Sequence, residues 1–183
     1  FGASLDKIKQ VVNVRKGEIM FGLNLIVHKG KTIFVGDTSV HEYPNAEQLS
    51  EIAISSARVV RLFGFDPKVA FVSHSTFGQP LTSRTKHIRD AVEILKEKNV
   101  NFEFDGDMQP DVALNEEYKS LYPFSKIVGN ANILIMPWQH SAAISYKIMK
   151  TLGDAKVIGP LLIGLGLPIE IAPLISSTSE IIN

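Results

Sequence analysis

Three carboxylates fall close together in Asp105-Gly106-Asp107-Met108-Gln109-Pro110-Asp111. On an extended strand Asp105 and Asp107 would share one face, because side chains alternate with a period of two. Two such oxygens could contribute to a magnesium site or to acid–base chemistry. The simpler reading is structural: Asp105 ends a strand and Asp107 caps a turn, since Gly106 and Pro110 are turn residues. A second group is Ser73-His74-Ser75-Thr76-Phe77-Gly78. Hydroxyls and a glycine just beyond a strand can hydrogen-bond a phosphate or a polar chain, or they can form an ordinary strand-to-helix turn. It is not a nucleophile elbow, because G-x-S-x-G is missing. A third group, Arg84, Lys86, His87 and Arg89, places four cationic or potentially cationic side chains at a predicted helix start. There they oppose the helix dipole, so helix stability does not explain them. They suit either phosphate contact or a solvated face.

Other chemistries find little support. The five histidines (28, 41, 74, 87 and 140) show no H-E-x-x-H spacing. With no cysteine in the chain, disulfides and thiolate metal sites are excluded, and no metal site is expected. Gly164-Leu165-Gly166 is half a dinucleotide fingerprint and reads instead as a glycine-rich connection.

The elements that must position these groups alternate between strand and helix. Leu5 to Val12 predicts a short helix. Glu18–Val27 and Lys31–Gly36 predict strands joined by a turn at His28-Lys29-Gly30. Asn45 and Gln48 form a capping-box pattern before a helix whose apolar face is Leu49, Ile52, Ala53, Ser56, Val60 and Phe63, closed by Gly64. Lys68–Ser73 predicts a buried strand, and Ile88, Ala91, Val92 and Leu95 the stripe of the next helix. Strands are expected at Phe102–Asp105, Ile133–Met136 and Ile158–Leu165, with helices at Asp111–Lys119 and Ala142–Leu152. Ser176 or Ser177 is expected to cap a last helix through Ile182. The pattern predicts an α/β fold: a mixed, largely parallel sheet with helices on both faces.

Composition fits a soluble globular chain of 183 residues, 45% hydrophobic and 21% charged, with zero formal net charge. No charge excess draws it to nucleic acid, and no nucleic-acid partner is expected. The longest apolar run, Val157 to Pro168, is broken by glycines and a proline and is shorter than the roughly twenty residues of a membrane span. No membrane partner is expected, and the expected location is the cytoplasm. The first residue is Phe1 rather than methionine, which suggests a fragment or a processed form.

The order of blocks along the chain resembles that of the phosphotransacetylase family. The blocks are Phe34-Val35-Gly36-Asp37, Pro44 to Ala53, Pro67 to Ser75, Asp105 to Ala113, Gly129 to Pro137, Tyr146-Lys147, Gly159-Pro160 and Gly164 to Pro168. The resemblance implies an isocitrate dehydrogenase-like fold of two α/β lobes. Residues 1–167 would be the second lobe, and residues 168–183 the segment returning to the first. The family's serine and arginine, counted without gaps from Gly159, fall on Pro173 and Leu174, with Glu180 at the acid position. Proline has no hydroxyl or N–H and leucine cannot polarise a carbonyl. Losing one such donor costs about two to three orders of magnitude in rate, so no catalytic residue is assigned.

This loss, with Asp37-Thr38, Pro44 to Leu49 and Ser73-His74-Ser75, is closest to the C-terminal transacetylase-like domain of bacterial NADP-dependent malic enzymes. That resemblance implies a catalytically silent domain that binds acetyl-CoA as an effector and supports a homo-oligomer, dimer or higher. It also implies an N-terminal malic enzyme core as partner, carrying NADP and magnesium or manganese. Ser75, Thr76, Arg84 and Lys86 are the candidate acyl-CoA contacts. The alternatives are a working phosphate acetyltransferase and an assembly domain without ligand.

Overall fold

Alternating apolar residues build the central sheet, and helical stripes cover both its faces. The computed structural model describes residues 2–172 and 178, and at Arg84 the backbone alone. In chain order the elements are α1 (Gly2–Val11), β1 (Phe21–His28), β2 (Lys31–Gly36), α2 (Ala46–Leu62), β3 (Lys68–Val72), α3 (Lys86–Glu97) and β4 (Glu103–Met108). They continue with α4 (Pro110–Leu114), α5 (Glu116–Lys119), β5 (Ile133–Ile135), α6 (Gln139–Leu152), β6 (Lys156–Ile163) and β7 (Ile169–Glu170).

The seven strands form one mixed sheet in the order β4-β3-β5-β2-β1-β6-β7. The β4, β3, β5 and β2 half is parallel. The β1–β2 hairpin turns the sheet antiparallel, and β6 and β7 continue it so. Alternate residues of each strand serve opposite faces. Val69, Phe71, Ile133, Ile135 and Phe34 pack with the stripes of α2 and α3. Ala70, Val72, Leu134, Met136 and Val35 pack with Val112, Ala113 and Ala142 on the other face. A smaller cluster of Leu5, Met20, Leu162 and Leu165 seats α1 on the antiparallel end.

Local signals explain the boundaries. Asn45 Oδ1 accepts from the Gln48 N–H at 2.8 Å while Gln48 Oε1 accepts from the Asn45 N–H at 2.9 Å, closing the predicted capping box. At the other end of α2, the N–H of Gly64 bonds Arg61 O and that of Phe65 bonds Val60 O, a Schellman ending with Gly64 at φ 83°. Phe63 departs from the expected buried face. It is half exposed, and its ring sits 5.6 Å from that of Phe34.

Three expectations are corrected. The helix expected over Asp111–Lys119 is two helices, because Asn115 is extended at φ −133°, ψ 117° and its side chain accepts from the Glu117 N–H. Asn favours such caps over helix interiors. The strand expected to end at Asp105 runs on to Met108 through a register shift opposite Phe71 and Val72. Gly106 permits this: its φ is 152°, and a Cβ there would stand 2.7 Å from Phe71 O. The short edge strand β7 pairs with β6 at Leu161 and Leu162 and has no counterpart among the expected strands. The expected last helix, from Ser176 or Ser177 through Ile182, lies outside the described residues.

Candidate functional site

The carboxyl ends of β2, β3 and β5 lie at one end of the sheet, since Gly36 and Phe71 both pair with Ile135. The loops that follow therefore share one rim, the place where open α/β sheets bind ligands. Two buried aspartates organise it.

Asp107 ties together the β3 loop, β4 and α3. Its carboxylate is buried and accepts from the Ser75 hydroxyl and, at 2.9 Å, from the Gly78 N–H. Arg89 Nη1 lies 3.5 Å from Asp107 Oδ2 and donates to Thr85 Oγ1 at 2.8 Å. The Asp107 carbonyl accepts from the Phe77 N–H at 2.6 Å. Thr76 Oγ1 accepts from the Gln109 N–H at 3.2 Å, and Ser73 Oγ lies 3.1 Å from Ser75 Oγ. A carboxylate removed from water requires such donors, and here the loop supplies them.

Asp37 does the same after β2. It accepts from the backbone N–H groups of Gly22, Ser39, Val40 and His41 at 2.7–3.1 Å. His41 Nδ1 lies 2.8 Å from Asp37 Oδ2. A carboxylate only accepts, so Nδ1 carries the hydrogen and Nε2 is the free ring nitrogen. The β5 loop closes the rim. The Gln139 N–H donates to Glu42 O, and Trp138 stacks on His87 of α3 with ring centroids 5.9 Å apart.

Ser75, Thr76, Arg84 and Lys86 follow β3 along the chain, the last of them opening α3. Ser75 and Thr76 are buried; the Ser75 hydroxyl donates to Asp107 of β4, and Thr76 Oγ1 accepts from the Gln109 N–H just after it. Arg84 lies in a 3-10 turn over Ser83–Thr85. Lys86, the first residue of α3, is well exposed and pairs with Asp90 at 2.7 Å. Asp105 accepts from the Gly106 and Lys126 N–H groups, and Asp111 from its neighbour Val112. Among the described residues no group of three or more His, Asp or Glu could hold a metal ion, and no helix is long and apolar enough to cross a membrane. Pro173, Leu174 and Glu180 lie outside the described residues. The Asp37–His41 pair is absent from the sequence-derived candidates. Its one signal was Asp-Thr-Ser directly after a strand, a turn-forming pattern.

This mixed sheet with its covering helices is a phosphotransacetylase-type fold. The family model for phosphate acetyl/butaryl transferase matches residues 2–183, and the chain belongs to that family. A phosphotransacetylase structure from Streptococcus pyogenes superposes with a TM-score of 0.89 at 30% identity, over 97% of this chain and 55% of that one. An NADP-dependent malic enzyme of Rhizobium meliloti (strain 1021) is 39% identical over all of this chain, which spans 24% of that relative. A phosphate acetyltransferase of Bacillus subtilis (strain 168) is 33% identical over 88% of this chain and 50% of its own length. The chain thus spans about a quarter of the malic enzyme's length.

Proposed function

We propose that the chain is a regulatory phosphotransacetylase-like domain of a larger NADP-dependent malic enzyme, with no transacetylase chemistry of its own. The observation that carries this reading is Pro173-Leu174, where the family places serine and arginine. The match to NADP-dependent malic enzymes over 96% and more of this chain, and 24% of those relatives, supports it. In this reading malate oxidation, NADP and the divalent metal belong to the remainder of the protein, its N-terminal core. The domain takes acetyl-CoA as effector and contributes to self-association. Ser75, Thr76, Arg84 and Lys86 contact the effector, the two cations through charge-assisted hydrogen bonds to its phosphates. The similarity to phosphate acetyltransferases favours a second reading, a working acetyltransferase.

One experiment separates the two. The full-length protein is assayed for malate oxidation with and without acetyl-CoA, and for acetyl-CoA formation from acetyl phosphate and coenzyme A. Acetyl-CoA should inhibit malate oxidation, and no acetyl-CoA should form above background. In the Arg84→Ala/Lys86→Ala variant the inhibitory concentration should rise about ten- to a hundredfold for each lost contact. Robust acetyl-CoA synthesis that Glu180→Gln abolishes establishes the second reading instead.

A further inference from the structure

Beside α3 a cavity of about 290 Å³ opens against the edge strand β4. Its charged lining balances: Arg89, Lys96 and Lys126 stand against Glu93, Asp105 and Asp107. Two cations and two anions are already matched. Arg89 Nη1 lies 3.5 Å from Asp107 Oδ2, and Lys96 Nζ lies 2.6 Å from Glu93 Oε1. One anion and one cation remain, Asp105 and Lys126.

These two are neighbours that do not pair. The Lys126 backbone N–H donates to Asp105 Oδ2 at 2.7 Å, yet no partner of the Lys126 ammonium is found among the described residues. Asp105 is only 8% exposed. The Gly106 N–H on Oδ1 and the Lys126 N–H on Oδ2 fill two of a carboxylate's roughly four acceptor positions. A buried carboxylate without a cation is costly, so Asp105 favours an ammonium in the positions left open. Lys126, in turn, is exposed and lacks an anion.

The rest of the lining is apolar: Val92, Phe77 and the exposed Phe124. Phe77 and Phe124 meet edge-on with ring centroids 4.8 Å apart. They form a single wall and take nothing between them. A ligand that completes the site therefore carries one positive charge, one negative charge close to it, and an apolar group. The cavity lies just under the roughly 300 Å³ at which drug-sized sites begin, which restricts that ligand to the size of an amino acid.

We infer that this cavity binds a free α-amino acid with an apolar side chain. Its ammonium meets Asp105, its carboxylate meets Lys126, and its side chain lies against Val92 and the outer face of Phe124. The zwitterion answers both unmatched charges, whereas a simple amine or a simple carboxylate leaves one of them. The inference does not rest on the acetyl-CoA reading.

Calorimetric titration of the full-length protein tests it, with L-valine, L-leucine, glycine and, for the tighter of the first two, its amide and its N-acetyl derivative. Valine or leucine should bind saturably. Glycine, with no side chain for the apolar wall, should bind about tenfold more weakly or worse. The amide lacks the carboxylate and the N-acetyl derivative lacks the ammonium, so each should also lose about tenfold or more. Lys126→Met should weaken the parent amino acid by a similar factor. Its thermal midpoint should stay unchanged, because the ammonium it removes is unpaired. The inference is overturned if neither valine nor leucine binds at millimolar concentration, if glycine or either blocked derivative binds as tightly as the amino acid, or if Lys126→Met binds like the parent.

Discussion

Asp107 shows how one residue fixes a rim. Removing its carboxylate leaves the Gly78 N–H without an acceptor, leaves the Ser75 hydroxyl only Ser73 Oγ at 3.1 Å, and leaves Arg89 without its anion. Breaking a buried pair costs about 3–5 kcal/mol. Asp107→Ala should fall at the lower end, about 3 kcal/mol, because Arg89 retains water contact and bonds to Thr85 and Thr82. Urea unfolding measures this directly, and a loss below about 1 kcal/mol would mean that the loop repacks around water. Asp107→Asn should cost less, since an amide oxygen can still accept from Gly78. The sequence reads Asp107 as the cap of a turn, whereas it lies inside β4 and its carboxylate holds the loop after β3. The sequence does not show the Ser75 and Arg89 partners, because residues 32 and 18 positions away meet only through the β3–β4 pairing. Nor does it show that the hydroxyls of Ser75 and Thr76, candidate ligand contacts by type, are bonded to Asp107 and Gln109.

Elements were legible where a local signal was strong. The capping box at Asn45, Gly64 after α2, the α3 stripe and the β1–β2 hairpin each depend on residues within a turn or two of one another. The failures were non-local or ambiguous. Gly106 and Pro110 read as the end of a strand, but pairing with β3 carries β4 to Met108. The break at Asn115 was hidden inside a helical pattern, and it leaves α5 with Lys119 buried as its last residue. Lys119 Nζ has one carbonyl partner, Ile127 O at 3.3 Å. Burial lowers its pKa from the ordinary 10.5, opposed by Glu116 and assisted by Lys68. The folded state thus holds fewer protons than the unfolded chain between the lowered value and 10.5. Stability contributed by this group must therefore rise with pH across that window, and below it the full cost of charging a buried amine applies. Lys119→Met removes the term. Its urea stability should exceed the parent's near neutral pH, and the gap should narrow as pH climbs toward 10.5. A gap that widens with pH would refute the burial argument.

At the scale of the molecule, the two helical layers differ in what they leave uncovered. On one face α2 and α3 bury their stripes against the sheet. On the other, α6 turns Ala142, Tyr146 and Met149 toward the core. Its Ile144, Ile148 and Leu152 are 59%, 53% and 82% exposed. Spaced by four, these three lie along one side of the helix, about 130° round from the core-facing set. A helix apolar on both sides is built to lie between two layers, and a contiguous apolar stripe on a surface marks an interface. A second copy is the simplest occupant, because a stripe along a single helix can pair with itself about a twofold axis. Ile144→Glu/Ile148→Glu in the full-length protein should therefore lower the mass seen by light scattering at micromolar concentration to a smaller oligomer. The fold should survive, since neither side chain enters the core. If the mass stays the same while the variant loses stability, another part of the same polypeptide covers α6. If the parent scatters as a monomer, the stripe is not a self-association surface at all.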